Sequence, residues 1–287
     1  MSDYRDLSAG LAARMALEKY GFRYSHSLGQ NFILDDGLVR RIVEAAEVWP
    51  GERVLEIGPG AGVMTRCLAD AGAFVTAVEL DTSLEPVLRA VLGENERVRL
   101  VFGDALKLDI AALMGEAPYR VVANLPYYIT ADTVLSLLTG PKKPESIAIM
   151  VQKEAAERMM ARLGTKSWCA LAATVQYFGC PEVLMTLPPE AFTPPPHVES
   201  TLLSIRLYDE KPVQARDEAL MLRLIGAAFA MRRKTLANNL AAAFHAPRET
   251  ALEWIRALGK DERVRGEALS IAELAALSDI IGESIGQ

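Results

Sequence analysis

Short apolar, β-branched runs alternate with longer stretches of helical periodicity along most of the chain, the mark of an α/β fold. The pattern predicts seven strands, at Arg53–Ile57, Phe74–Glu79, Val98–Phe102, Val121–Asn124, Ser146–Val151, Glu182–Leu187 and Thr201–Leu207. Helical patterns fall at Gly62–Ala71, Leu84–Leu92, Ala131–Leu138, Glu154–Leu163 and Trp168–Phe178. Helical crossovers require the first five strands to pair in parallel through right-handed connections. Only the proline-rich segment Pro188–Ser200 joins the last two, so an antiparallel pair at a sheet edge is expected. Beyond Tyr208 the pattern is wholly helical, through Leu220–Ala230, Leu236–Phe244, Ala251–Leu258 and Ile271–Ile281. The expected organisation is a helical extension over residues 1–25, an α/β domain over 26–209 and a small all-helical domain over 210–287.

One uninterrupted helix through Met221, Leu224, Ile225, Ala228 and Phe229 would carry Arg232 onto its apolar side. Burying that charge unpaired is costly, so a break is expected near Met231–Lys234, with Thr235 able to cap the next helix. The break would display Arg232, Arg233 and Lys234. The chain as a whole is acidic, 31 Lys+Arg against 37 Asp+Glu, yet residues 219–248 hold five arginines and lysines and no carboxylate. Local charge, not the total, decides whether a face can hold phosphates.

Composition excludes several classes. With 51% hydrophobic and 24% charged residues among 287, the chain is globular, neither disordered nor a coiled coil. Cys67, Cys169 and Cys180 are widely spaced, and only three histidines accompany them, so neither a disulfide framework nor a metal site is expected. The cysteines read as small core residues, and His26, His197 and His245 as surface or capping groups. Met159-Met160 reads as helix packing, and the charges of residues 152–163 as a solvated face. The charged N-terminus offers no apolar run for a signal peptide or membrane span, so a cytoplasmic protein is expected.

The first strand runs into Glu56-Ile57-Gly58-Pro59-Gly60-Ala61-Gly62, a glycine-rich turn opening a helix, where missing Cβ atoms let backbone approach a ligand. Its G-x-G-x-G spacing differs from the dinucleotide fingerprint, and Pro59 removes an N–H that would cradle a pyrophosphate. An NAD-dependent oxidoreductase is accordingly disfavoured. Glu79 and Asp81 follow the second strand, where a carboxylate can accept both ribose hydroxyls. After the third, Asp104 could accept an adenine amino group while Ala105 supplies a backbone N–H; alone, such an Asp is more often an N-cap. The fourth strand ends in Asn124-Leu125-Pro126-Tyr127, with Tyr128 beside it. An adenine amine is a poor nucleophile because its lone pair is delocalised, so a site must position it. The Asn124 side-chain oxygen and a carbonyl of the Leu125-Pro126 stretch could accept its two hydrogens, with Tyr127 stacked on the base.

These segments, with Ser27–Phe32, Ala191–Ser200 and Arg232–Leu236, resemble the ribosomal RNA adenine N6,N6-dimethyltransferases, most strongly the bacterial small-subunit branch, from about Tyr20 to the C-terminus. The resemblance implies a seven-stranded class I S-adenosylmethionine-dependent methyltransferase sheet, Rossmann-like, with a helical RNA-binding domain. It implies cofactor contacts at Asn31, Ile33, Gly58, Glu79, Asp104 and Asn124, with Gln30, Gly60 and Ala105 as secondary candidates. Ile33 stands where the family usually has Leu. Catalysis falls to Asn124, Leu125, Pro126, Tyr127 and Phe192, the last as a second aromatic wall opposite Tyr127; a plain core Phe is its alternative. Arg232, Arg233 and Lys234 are expected to hold RNA phosphates, a solubilising surface being the alternative. The implied partner is 16S rRNA within an assembling 30S subunit, met by a monomer without metal or membrane. A 23S rRNA adenine methyltransferase conferring macrolide resistance and a non-catalytic assembly factor remain as competing readings.

Overall fold

The structure is a computed structural model that describes residues 4–25 and 28–286. His26 and Ser27, the first residue of the Ser27–Phe32 motif, lie outside the described residues. Seven strands form one sheet: β1 Arg53–Ile57, β2 Phe74–Glu79, β3 Val98–Phe102, β4 Arg120–Asn124, β5 Ser146–Gln152, β6 Gly179–Leu187 and β7 Ser200–Leu207. Their spatial order is β3-β2-β1-β4-β5-β7-β6. The central pairs are parallel, and β7 runs antiparallel to β5. Thr186, near the end of β6, meets Thr201, near the start of β7, so the chain reverses between them. The reversed strand therefore sits inside the sheet, with β6 at the edge.

Alternation along the strands buries both faces, as a parallel sheet demands. Val54, Val75, Ala77, Val122, Ala148, Met150 and Leu202 belong to one core cluster. Helices α1 (Ala9–Lys19), α2 (Asp36–Ala45), α3 (Val63–Asp70) and α4 (Glu85–Leu92) contribute to that cluster. Leu55, Val121, Ala123, Ile147, Ile149, Leu203 and Ile205 are buried at the intervening positions. The helix α2 was not anticipated, although Asp35 caps it by accepting the Leu38 N–H and Leu38, Val39, Ile42 and Val43 line its buried face. The short helix α5 (Ile110–Met114) between β3 and β4 was missed too. Helix α6 (Thr130–Thr139) follows β4, as expected.

Two compact units emerge, Met1–Ala156 with Pro181–Leu207, and Glu157–Cys180 with Tyr208–Gln287. The helix expected over 154–163 stops early, as α7 (Lys153–Met159), and α8 (Ala170–Phe178) belongs to the second unit despite lying between β5 and β6 in sequence. The other helices of that unit are α9 (Glu218–Ala230), α10 (Leu236–Phe244), α11 (Arg248–Ala257) and α12 (Ile271–Ile285). Trp168 is buried there and donates its indole N–H to the Leu269 carbonyl at 3.3 Å. The break between α9 and α10 falls where charge burial required it. Thr235 takes the N-cap position with extended backbone but makes no capping bond, and its buried hydroxyl has no partner among the described residues. The Leu236 N–H donates to the Val264 carbonyl at 2.8 Å, and Asn239 Nδ2 reaches back to the Ala228 carbonyl at 3.1 Å. The cysteine expectation needs correcting: Cys67 is buried, but Cys169 is half-buried and Cys180 is exposed on edge strand β6.

Candidate functional site

Strands β1, β2, β3 and β4 end at one edge of the sheet, and their following turns enclose a cavity of about 300 Å³. Asn31, Ile33, Gly58, Glu79, Asp104 and Asn124 all line it, as do Gln30, Gly60, Ala105, Leu125 and Pro126. Tyr127 and Phe192 do not. The structure thus brings the residues expected to hold a cofactor around one cavity, whose lining does not include the two expected aromatic walls.

The glycine-rich turn has a more specific cause than ligand approach alone. Gly58, Gly60 and Gly62 all have positive φ, at 72°, 55° and 82°, a region costly to residues with a Cβ. A Cβ at Gly60 would stand 2.7 Å from the Phe32 ring, whereas one at Gly58 would meet nothing closer than 3.7 Å. Packing of Phe32 thus sets the requirement at Gly60. That ring is itself held by Phe22 and Tyr24, with centroids at 5.9 and 5.3 Å.

Two carboxyls face the cavity from strand ends. Glu79 is 6% exposed; Oε2 accepts the Gly60 N–H at 3.1 Å and Oε1 the Asp81 N–H at 2.8 Å. Burial pushes its carboxyl above the ordinary value against the pull of those two bonds. Glu56 is 1% exposed, and its Oε2 has no partner among the described residues. Burial drives the Glu56 carboxyl up to about 8, against the pull of the nearby Thr65 hydroxyl and with a smaller push from the Glu79 charge. Asp104 behaves differently: Lys107 at 3.0 Å and the Leu106 N–H hold its carboxyl below the usual range. Its Oδ1 already closes a turn with Leu106, the capping alternative, while the residue still borders the cavity.

Asn124 terminates β4 with its Nδ2 donating to the Asn31 carbonyl at 2.8 Å. Only the nitrogen of an amide can donate, so this bond fixes which way the side chain is turned and leaves Oδ1 as the atom able to accept. Tyr127 is half-buried, with its hydroxyl 2.7 Å from Ser200 Oγ and its phenol pushed up by burial. Phe192, 3% exposed, lies in the core cluster. Sequence reasoning missed two apolar rims, Leu80 and Leu106, which line the cavity yet remain 49% and 37% exposed. Leu80 stands directly beyond β2 beside Glu79, and Leu106 lies in the turn after β3, two residues past Asp104, a signal present in the sequence. Tyr128, 55% exposed, also borders the cavity.

These features fit the nucleoside cofactor that the motifs implied. Glu79 offers a buried carboxylate to a diol, and Leu80 and Leu106 offer apolar faces to a ring. In the second unit, Arg232, Arg233 and Lys234 are exposed at the α9–α10 junction; Arg232 pairs with Glu267 at 3.2 Å and donates to the Lys166 carbonyl at 2.8 Å.

The family model for ribosomal RNA adenine dimethylase matches residues 21–281. A Clostridium perfringens protein named ribosomal RNA small subunit methyltransferase A is 42% identical over 266 residues, covering 92% of this chain and 93% of its own. Its Geobacillus kaustophilus namesake is 39% identical over 292 residues, covering 99% and 100%. Among solved structures, a dimethyladenosine transferase from Plasmodium falciparum shares the fold with a TM-score of 0.71 at 21% identity, covering 88% of this chain and 97% of that one. The 23S rRNA methyltransferase ErmE gives 0.63 at 25% identity, covering 87% and 99%.

Proposed function

This chain belongs to the ribosomal RNA adenine dimethylase family of methyltransferases, and we propose that it uses S-adenosylmethionine to dimethylate N6 of two adjacent adenines in a hairpin loop near the 3′ end of 16S rRNA, within an assembling 30S subunit. The observation that carries the reading is Asn124, turned by the Asn31 carbonyl so that its Oδ1 can accept from an amine at the edge of the cavity. Identity of 39–42% over nearly the whole chain to relatives named ribosomal RNA small subunit methyltransferase A favours the small-subunit substrate.

Glu79 would bind the ribose hydroxyls, and Leu80 and Leu106 would flank the purine. Asn31, Ile33 and Gly58 complete the cofactor contacts, with Asp104 and Ala105 at the base edge. When bound, the cofactor would supply a methyl carried on a positively charged sulfur able to retain the C–S electron pair. Asn124 Oδ1 and a carbonyl from Leu125-Pro126 hold the two hydrogens of the target amine, making N6 more pyramidal and aiming its lone pair. After the C–N bond forms, the excess proton passes to water, so no side chain need act as base. Tyr127 and Phe192 would clasp the everted base after rearranging from their present burial. A hairpin loop lowers the cost of eversion. Arg232, Arg233 and Lys234 would engage RNA phosphates.

Incubating the protein with unmodified 30S particles and labelled S-adenosylmethionine, then mapping methyl groups by mass spectrometry, tests this. Two methyls at N6 of each of two neighbouring loop adenines are expected. Label in 23S rRNA alone would overturn the substrate assignment, and no label at all the reaction.

A further inference from the structure

Gln30 borders the cavity, yet both ends of its amide are engaged inside the protein. Nε2 donates to Asp81 Oδ2 at 2.7 Å, and Oε1 accepts the Ser25 N–H at 2.7 Å. The carbonyl of the next residue, Asn31, takes Asn124 Nδ2. Phe32 then exchanges two backbone hydrogen bonds with Thr193, each 2.8 Å, while its ring packs on Gly60. Three successive residues are tied to three separate parts of the site: the end of β2 beside Glu79, the end of β4 at Asn124, and the segment carrying Phe192. Asp81 in turn donates its N–H to Glu79 Oε1 at 2.8 Å, so Gln30 stands one residue away from the carboxylate assigned to the ribose. Gly29 precedes the series at φ 61°, a conformation that favours glycine at the segment's entry.

We propose that residues 30–32 form a clasp joining the cofactor half of the site to its target half, with Gln30 as a positioning residue that spends its side chain on Asp81 rather than on the cofactor. The bond to Asp81 holds the segment against the cavity, and the Asn31 carbonyl, carried on that segment, keeps Asn124 turned for the target amine. The inference rests on the cavity being the S-adenosylmethionine site.

The pair can be broken and then rebuilt in reverse. Q30E sets a carboxylate against Asp81, D81N sets amide against amide, and Q30A removes the bond without adding charge. In Q30E/D81N the carboxylate at position 30 accepts from the amide at position 81 and still accepts the Ser25 N–H. The side-chain oxygen at position 81 still accepts the Ser83 N–H, as Asp81 Oδ1 does at 3.0 Å. Calorimetry with S-adenosylmethionine on the full chain reads the clasp without RNA. Each single variant should bind about tenfold more weakly, the factor expected for a lost hydrogen bond to a charged group. The double variant should return to within about threefold of wild type, with melting temperatures recording that all variants fold. On 30S particles the single variants should also lose kcat, because Asn124 loses its anchor, and the double variant should recover it.

A double variant as weak as either single one would overturn the clasp and make Gln30 a direct cofactor ligand. Single variants that bind and turn over like wild type would overturn it as well. A wild-type protein that binds no S-adenosylmethionine would instead refute the cofactor assignment on which the clasp rests, so the two failures are distinguishable.

Discussion

Raising the pH should destabilise the unliganded protein through one side chain in particular, Glu56. It lies within β1 at 1% exposure, and burial, outweighing the pull of the Thr65 hydroxyl, places its carboxyl at about 8 in the fold, against an ordinary value of 4.5. Between those two values the native protein keeps a proton that the unfolded chain has released. Stability is therefore fully present below about 4.5 and declines as pH rises through about 8. At about 1.4 kcal/mol per decade, the interval is worth at most about 5 kcal/mol, less what water in the cavity and local relaxation recover. Glu56→Gln keeps the shape and removes the titration. Urea denaturation of wild type and variant at pH 5, 7 and 9 is the assay. The variant's stability relative to wild type should grow with pH, reaching several kcal/mol at pH 9. Glu79, also raised by burial, is present in both proteins and largely cancels in the difference. A difference independent of pH would refute the reasoning, because Glu56 would then be ionised, or solvated, in the fold.

Gly60→Ala should cost at least about 2 kcal/mol in chemical denaturation, from positive φ and from a Cβ driven into the Phe32 ring; a loss under about 0.5 kcal/mol would show that the ring can move aside. Asn124→Ala should lower the methylation rate about 100-fold while weakening cofactor binding less than tenfold, and equal losses in both would make Asn124 a binding residue only. Replacing Arg232, Arg233 and Lys234 by Glu should weaken RNA binding and flatten its salt dependence while leaving cofactor affinity intact. Arg232 alone should matter least, being already engaged by Glu267 and Lys166; unchanged RNA binding at moderate salt would contradict the phosphate-holding role.

The strands were legible because each is a short apolar run between turn residues, and the observed bounds depart from the expected ones mainly at β6, which begins at Gly179. The break after Ala230 was legible for an energetic reason, the burial of Arg232. Helix α2 was readable in principle from Asp35 and the spacing of Leu38, Val39, Ile42 and Val43, whereas five residues of α5 carry too little periodicity. The inner position of β7 and the attachment of α8 to the helical unit depend on pairings between distant segments, which local pattern does not encode. The same limit applies within the site. Motif position placed Asn31, Glu79, Asp104 and Asn124 around one cavity, but the burial of Phe192, the Tyr127–Ser200 bond and the engagement of Gln30 by Asp81 arise from side chains far apart in sequence.

The central claim is that Asn124 Oδ1 holds the target amine toward the cofactor methyl. A crystal structure of the protein with a non-reactive S-adenosylmethionine analogue and a loop RNA would test it most directly. The account predicts one adenine out of the stack with its N6 within hydrogen-bonding distance of Oδ1 and in line with the methyl carbon, while Nδ2 stays on the Asn31 carbonyl. An N6 held elsewhere, or a base pocket walled off from the cofactor, would contradict it.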